Sequence, residues 1–153
     1  MLGFAGACAG AALLGARANA SSRRWYRSLA KPPFNPPDGV FAPVWTGLYA
    51  LMTASAYRVW WSPASPARSR ALRWWAAQLA ANAAWSPLFF GARRPRAALA
   101  DMGVLMVALA LYTRSAAVVD RPSAWMMAPY GAWVGFAALL NEELVRRNRL
   151  VHG

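Results

Sequence analysis

The chain has 153 residues, of which 58% are hydrophobic and only 14% are charged. A soluble domain of this size is about a quarter charged, so this composition argues against one. The 17 Lys and Arg residues against 5 Asp and Glu give a net charge of +12. Such a charge first suggests a nucleic-acid partner. The cations, however, lie in short clusters between long apolar runs, which is typical of a membrane protein, and we expect no nucleic-acid partner.

The apolar runs predict five helices, since a helix needs about 20 apolar residues to cross a bilayer. In chain order we place them at about 1–18, 41–61, 71–91, 97–119 and 123–147. The connectors after the second helix are short, so consecutive helices must be antiparallel neighbours. The sequence therefore predicts an all-α integral membrane protein, a five-transmembrane-helix bundle that forms a single domain over residues 1–153.

The first apolar run has a second interpretation. The letters ARANA before Ser21 resemble a cleavage site, so residues 1–20 could be a signal peptide. Against this, no cation precedes the run, and the run holds few large residues. We favour a first transmembrane helix.

A Pro-rich loop, residues 19–40, is predicted to join the first two helices. Pro32, Pro33, Pro36 and Pro37 fix φ and remove backbone donors. The loop can therefore be ordered without regular hydrogen bonding.

The cations predict the orientation of the bundle. With five spans, one side carries eleven of them: Arg17, Arg23, Arg24, Arg27, Lys31, Arg93, Arg94, Arg96, Arg146, Arg147 and Arg149. The other side carries six: Arg58, Arg68, Arg70, Arg73, Arg114 and Arg121. Because the more positive side faces the cytoplasm, we expect the N-terminus outside and the C-terminus in the cytoplasm.

The residues of ordinary catalytic and metal sites are scarce. The single His is His152 and the single Cys is Cys8. Metal ions need several converging ligands, and a haem needs an axial ligand in the core. We therefore expect no metal and no required cofactor.

Aromatic side chains, by contrast, are abundant, with nine Trp, five Tyr and six Phe. Many Trp residues near helix ends are typical of interfacial belts: Trp60, Trp61, Trp74, Trp75 and Trp125. Others recur at helical spacing on one face: Trp45, Tyr49 and Met52; Gln78, Asn82, Trp85 and Phe89; and Pro129, Trp133, Ala137 and Leu140. Buried amides in a bilayer mark cavities or pair between helices. Gln78 and Asn82 thus indicate either a polar spot on an aromatic wall or interhelical pairing.

The chain contains three characteristic blocks in this order: WYRSLAKPPFNPP with PVWTGLYALM, then QLAANAAWSPLFF, then APYGAW with ALLN. Together these blocks resemble the translocator protein family, also called tryptophan-rich sensory proteins (TspO/MBR). The likeness spans Trp25 to Asn148. It implies five helices around a ligand cavity, with the first loop as a lid on the cytosolic side. The family's ligands are porphyrins and other large apolar molecules, including sterol-like and isoquinoline ligands. Its pocket positions correspond to Tyr26, Pro37, Trp45, Tyr49, Asn82, Trp85, Trp133 and Ala137.

One family feature is absent. The sterol-recognition pattern of animal members needs a Tyr near the end of the fifth helix, where this chain reads LLNEELVRRN. Such patterns are weak predictors in any case. Cholesterol is therefore not the ligand that we expect.

The loop chemistry suits a tetrapyrrole, a flat ring with pendant carboxylates. Trp25, Tyr26 and Phe34 can cover the ring, and Arg27 and Lys31 can meet the acids. For Arg23 and Arg24 we favour a role in topology and lipid binding. Lys31 could serve either purpose.

The leading functional hypothesis is a membrane receptor, sensor or carrier of porphyrins. The alternative is an enzyme that degrades bound porphyrin in light, with Trp45 and Trp85 as candidate catalytic residues. A purely structural bundle would leave the amide-bearing interior unexplained. A bacterial cell-envelope membrane is the expected location.

The third helix also predicts an assembly. Ala76, Ala80 and Ala84 form a flat surface at a spacing of four residues. Small residues let membrane helices approach closely. We therefore expect a homodimer through this helix.

Overall fold

The computed structural model describes residues 1–149, except for the side chains of Ser21 and Arg149. Within these residues the fold is entirely helical. Its helices are α1 (Leu2–Ser28), α2 (Asp38–Trp61), α3 (Pro66–Ser86), α4 (Pro95–Val119), α5 (Arg121–Trp125) and α6 (Ala128–Arg149). A π-helical turn, Pro87–Gly91, continues α3. The expected class, all-α, is confirmed, but the described chain has six α-helices and not five.

The first helix is longer than predicted, and the loop is correspondingly shorter. Helix α1 ends at Ser28, not near residue 18, and the loop comprises only residues 29–37. The reason is that Pro32 is the first proline in the chain, and a helix usually ends before a proline. The added turns of α1 are stabilised by contact with the π-helical turn that continues α3, where the Ser22 hydroxyl donates a hydrogen bond to the carbonyl of Phe90 at 2.6 Å.

The end of α3 widens into the π-helical turn. Pro87 has no N–H to donate to the preceding turn, and the N–H of Ala92 bonds to the Pro87 carbonyl at 2.8 Å. The wider turn buries two consecutive side chains, Phe89 and Phe90. Single π turns of this kind often occur at functional sites.

The predicted fifth helix is broken in two. Helix α5 ends at Trp125 and α6 begins at Ala128. An unbroken helix would require Pro129 to bond to the carbonyl of residue 125, and the proline ring would clash with that carbonyl. The N–H of Met127 bonds instead to the carbonyl of Ala124 at 3.1 Å.

One helix of the described chain, Pro95–Val119, is by itself long and apolar enough to cross a bilayer, with a mean hydropathy of 1.8. The other helices of the described chain do not meet this criterion of length and hydropathy. In α3 and α6, arginines and amides lower the mean hydropathy. The outer surface is nevertheless apolar, with exposed side chains at Leu13, Val104, Val107, Val118 and Leu139. Large exposed apolar surfaces mark contact with a membrane or a partner.

Candidate ligand-binding cavity

A cavity of about 630 Å³ lies inside the bundle, walled by α1, α2, α3 with its π-helical turn, α4 and α6. This volume is within the range of small-molecule pockets, about 300–1,000 Å³. The α1 wall is made of small residues, including Ala12, Gly15 and Ala16. A Cβ at Gly15 would lie 3.2 Å from the Ser86 hydroxyl, so glycine permits the close approach of α1 to α3.

The rest of the wall is largely aromatic. Trp45 lies 5.4 Å from Tyr49 between ring centroids, and Trp85 stacks on Phe89 at 5.0 Å with an interplanar angle of 19°. Trp133 closes the α6 side. These rings offer flat apolar faces, which suit a planar, conjugated ligand.

Asn82 is the polar centre of this wall. Its side-chain oxygen accepts a hydrogen bond from the Tyr49 hydroxyl at 2.8 Å, and its nitrogen donates to the Tyr130 hydroxyl at 3.1 Å. The amide therefore pairs α2, α3 and α6 and also lines the cavity. Of the two interpretations of this residue, interhelical pairing is present, and it coexists with a position on the wall.

Three side chains in the bundle have a buried polar atom with no hydrogen-bond partner among the described residues, and one of them is Asp101 of α4, through a carboxylate oxygen. The second is Trp85, whose indole N–H is buried at the cavity wall. The third is Gln78, whose amide is fully buried but does not line the cavity. The prediction that Gln78 shares the polar spot with Asn82 is therefore wrong, because the Gln78 side chain is buried apart from the cavity wall.

The loop 29–37 lies across one end of the bundle and is hydrogen-bonded to α6 and α1. Asn148 on α6 donates to the Ala30 carbonyl at 3.2 Å and accepts from the Ala30 N–H at 3.1 Å. On the other side, the Tyr26 hydroxyl donates to Asn35 at 3.2 Å. The side-chain amides of Asn35 and Asn148 thus join the short loop to α1 and α6.

Seven of the eight expected site residues line the cavity together: Tyr26, Trp45, Tyr49, Asn82, Trp85, Trp133 and Ala137. Pro37 does not; it precedes α2, and its neighbour Asp38 is on the wall instead. The sequence reasoning missed the α1 wall, including Asn19 and Arg23, because it assigned residues 19–40 to a loop. A helical stripe continued from Ala12 to Arg27 would have revealed it.

The bundle has a second polar cluster at the end opposite the loop. Arg58 of α2 donates two hydrogen bonds to Asp120, at 2.8 and 3.0 Å, and Asp120 also accepts from the N–H and hydroxyl of Ser123. The hydrogen bonds from Arg58, with those from Ser123, lower the pKa of Asp120 to about 2. Nearby, Ser55 bonds to Tyr112 and to the Ser123 carbonyl. This cluster ties α2 to the junction of α4 and α5.

One prediction about interfacial tryptophans is wrong at Trp75. This ring is only 5% exposed, and its N–H donates to the Met52 carbonyl at 3.1 Å, so it belongs to the core. Trp60, Trp61 and Trp125 are exposed, as an interfacial belt requires.

The fold and the cavity define the chain as a helical bundle with an internal aromatic pocket. The model of the TspO/MBR family matches residues 4–147, and this chain belongs to that family of membrane proteins. It is 40% identical over 131 residues to the translocator protein of Ovis aries, covering 82% of this chain and 76% of that protein. It is 38% identical over 147 residues to the tryptophan-rich sensory protein of Cereibacter sphaeroides, covering 96% and 90%. The human translocator protein is 38% identical over 127 residues, covering 82% and 75%.

Proposed function

We propose that the protein is a membrane receptor, sensor or carrier that binds porphyrins, and other large apolar ligands such as sterol-like or isoquinoline molecules, in this cavity. The observation that carries the proposal is the cavity of about 630 Å³ with Trp45, Tyr49, Trp85 and Trp133 on its walls. A tetrapyrrole needs a wide apolar slot with aromatic faces, and apolar burial and stacking give the affinity. Membership in a family with sensory and translocator proteins supports this function.

The unpaired indole N–H of Trp85 adds specificity to this site. A buried donor without a partner raises the free energy of the empty state, and a ligand acceptor would remove that penalty.

The test is a titration of a free-base porphyrin into the purified protein, followed by quenching of tryptophan fluorescence. We expect saturable binding with one porphyrin per chain. A planar apolar competitor of isoquinoline type should displace the porphyrin. Absence of saturation, or quenching that scales only with the amount of detergent, would contradict the proposal.

The alternative function is light-dependent degradation of bound porphyrin. It is favoured by the contacts of Trp45, whose ring lies 5.4 Å from Tyr49 and 6.3 Å from Tyr130. A row of oxidisable rings beside an excited pigment could exchange electrons with it. Bleaching of porphyrin absorbance in light with the protein, but not with Trp45→Phe, would identify this activity.

We further propose five membrane-crossing segments, with α5 and α6 together forming the last. The N-terminus then lies outside and the loop 29–37 faces the cytoplasm, because more cations lie on the loop side. A multi-pass protein of a bacterial cell-envelope membrane fits the likeness to bacterial relatives.

We propose a homodimer through Ala76, Ala80 and Ala84 of α3.

A further inference from the structure

We infer that Arg23 and Arg27 form an acid-binding pair at the cavity mouth, so that the site selects ligands with a pendant carboxylate over their neutral counterparts. The inference rests on the proposed function and specifies the ligand class of that same cavity. It reassigns Arg23, which the sequence pattern placed in a topological role.

The α1 wall changes character along one helical stripe. Its deep part is small and apolar, at Ala12 and Ala16, and its outer part carries Asn19, Arg23 and Arg27. The spacing of three or four residues puts all five on one face of α1. A ligand on this wall meets apolar surface with its body and cationic surface with its outer end.

Both arginines are available for a ligand. Neither has an ion-pair partner among the described residues, and both are exposed at the mouth. Lys31 is differently placed: its ammonium donates to the carbonyls of Arg27 and Leu29 at 3.4 and 3.5 Å and lies 4.8 Å above the Tyr26 ring. The ammonium of Lys31 thus contacts the last turn of α1 and the start of the loop.

The remaining charge on the wall is Asp38, in the first turn of α2. Two guanidinium groups against one carboxylate leave the mouth positive. Asp38 opposes an incoming acid, and its removal should therefore strengthen the same selectivity that removal of the arginines weakens.

Guanidinium groups suit this task because their planar fork binds a carboxylate with two parallel hydrogen bonds. At an exposed mouth each such pair contributes modestly and is screened by salt. The acid therefore orients the ligand, while the aromatic wall supplies most of the affinity.

The experiment compares a porphyrin dicarboxylic acid with its dimethyl ester, bound to the full chain in nanodiscs of phosphatidylcholine, whose net charge is zero. The double variant Arg23→Gln/Arg27→Gln should lower the affinity for the acid about fivefold at low salt and leave that for the ester within about twofold. The matched control is Arg24→Gln, which removes the same charge from an exposed neighbour off the cavity wall. Asp38→Asn should raise the affinity for the acid only.

Equal losses for acid and ester in the double variant would overturn the inference, because the arginines would then act through the fold. So would an equal loss in Arg24→Gln, which would indicate a general surface potential. In both cases the porphyrin proposal would stand, since the wild-type protein still binds. If the wild-type protein binds neither ligand, the proposed function fails and this inference fails with it.

Discussion

Trp45 lies two turns into α2, on the cavity wall and in ring contact with Tyr49 and Tyr130. We predict that Trp45→Ala lowers the affinity for porphyrin about tenfold or more, because buried aromatic surface and stacking are worth roughly 1–3 kcal/mol. The loss should depend little on salt. Fluorescence or absorbance titration at two salt concentrations measures both quantities.

Two variants serve as controls for Trp45. Trp125→Ala removes a tryptophan that is 76% exposed and does not line the cavity, and it should leave affinity unchanged. Lys31→Ala should cost less than Trp45→Ala, since this ammonium contacts the carbonyls of Arg27 and Leu29 and does not line the cavity. If Lys31→Ala has the larger effect, the ligand binds to a surface patch and not in the aromatic cavity.

Asn82 joins two phenol hydroxyls from different helices. We predict that Asn82→Ala lowers the free energy of unfolding by about 1–3 kcal/mol, because the buried hydroxyl of Tyr130 and the half-buried hydroxyl of Tyr49 lose their partner. Thermal unfolding in detergent measures this. The double-mutant cycle with Tyr130→Phe isolates one of the two bonds. An unchanged melting temperature with weakened porphyrin binding would show that Asn82 acts on the ligand alone.

At the scale of elements, the apolar runs predicted α2, α3 and α4 well because their hydrophobic stretches are long and bounded by prolines and arginines. The extension of α1 to Ser28 was missed, since its last turns are polar and depend on Ser22, Trp25 and Tyr26 packing against Phe89 and Phe90. Such tertiary support has no local signature.

The cavity, like the helices, was predicted in part from the sequence. Spacing and resemblance together placed Trp45, Tyr49, Asn82 and Trp85 on inward faces, and these residues line the cavity. Arg23 was not found, because it was assigned to a loop, and helical spacing then gives no indication of which direction its side chain takes. The burial of Gln78 away from the cavity depends on how α3 is rotated, which periodicity defines only coarsely.

The ion pair between Arg58 and Asp120 fixes α2 to the junction of α4 and α5, and it predicts a pH dependence. The pKa of Asp120 is lowered from 3.8 to about 2, so the folded state favours the charged carboxylate. This stabilisation is fully present above about pH 4 and is lost as the pH falls towards 2. The melting temperature of the wild-type protein should therefore fall across that window.

The variant Asp120→Asn isolates this pair from other carboxylates. It should melt lower than the wild-type protein at pH 7, and the difference between the two should shrink as the pH falls from about 4 to 2. Arg58→Gln should give the same convergence. A constant difference across this range would mean that the hydrogen bonds to Ser123, and not the charge, carry the stabilisation.

For the whole molecule, the two ends of the bundle differ in kind. The cytosolic end, as we propose it, carries the loop, the cavity mouth and the free arginines, whereas the opposite end is closed by the Arg58–Asp120 pair and the buried hydroxyls of Ser55 and Tyr112. The cavity extends from this mouth into the bundle, and on its wall Asn82 joins the hydroxyls of Tyr49 and Tyr130. A ligand acid is thus expected only at the mouth.

The outer surface of α3 carries the proposed assembly. Ala76 and Ala80 are exposed and Ala84 is half-buried, and beside them an apolar groove is lined by Trp74, Ala77, Gly103, Val104, Val107 and Ala108. Small residues allow close contact between helices in lipid, and a groove can receive the side chains of a second copy. We predict a dimer in mild detergent that Ala80→Leu converts to a monomer, measured by light scattering after size exclusion. Ala110→Leu, which enlarges an exposed position on α4, is the matched control and should stay dimeric. A dimer that persists in Ala80→Leu would place the interface on another face of the bundle.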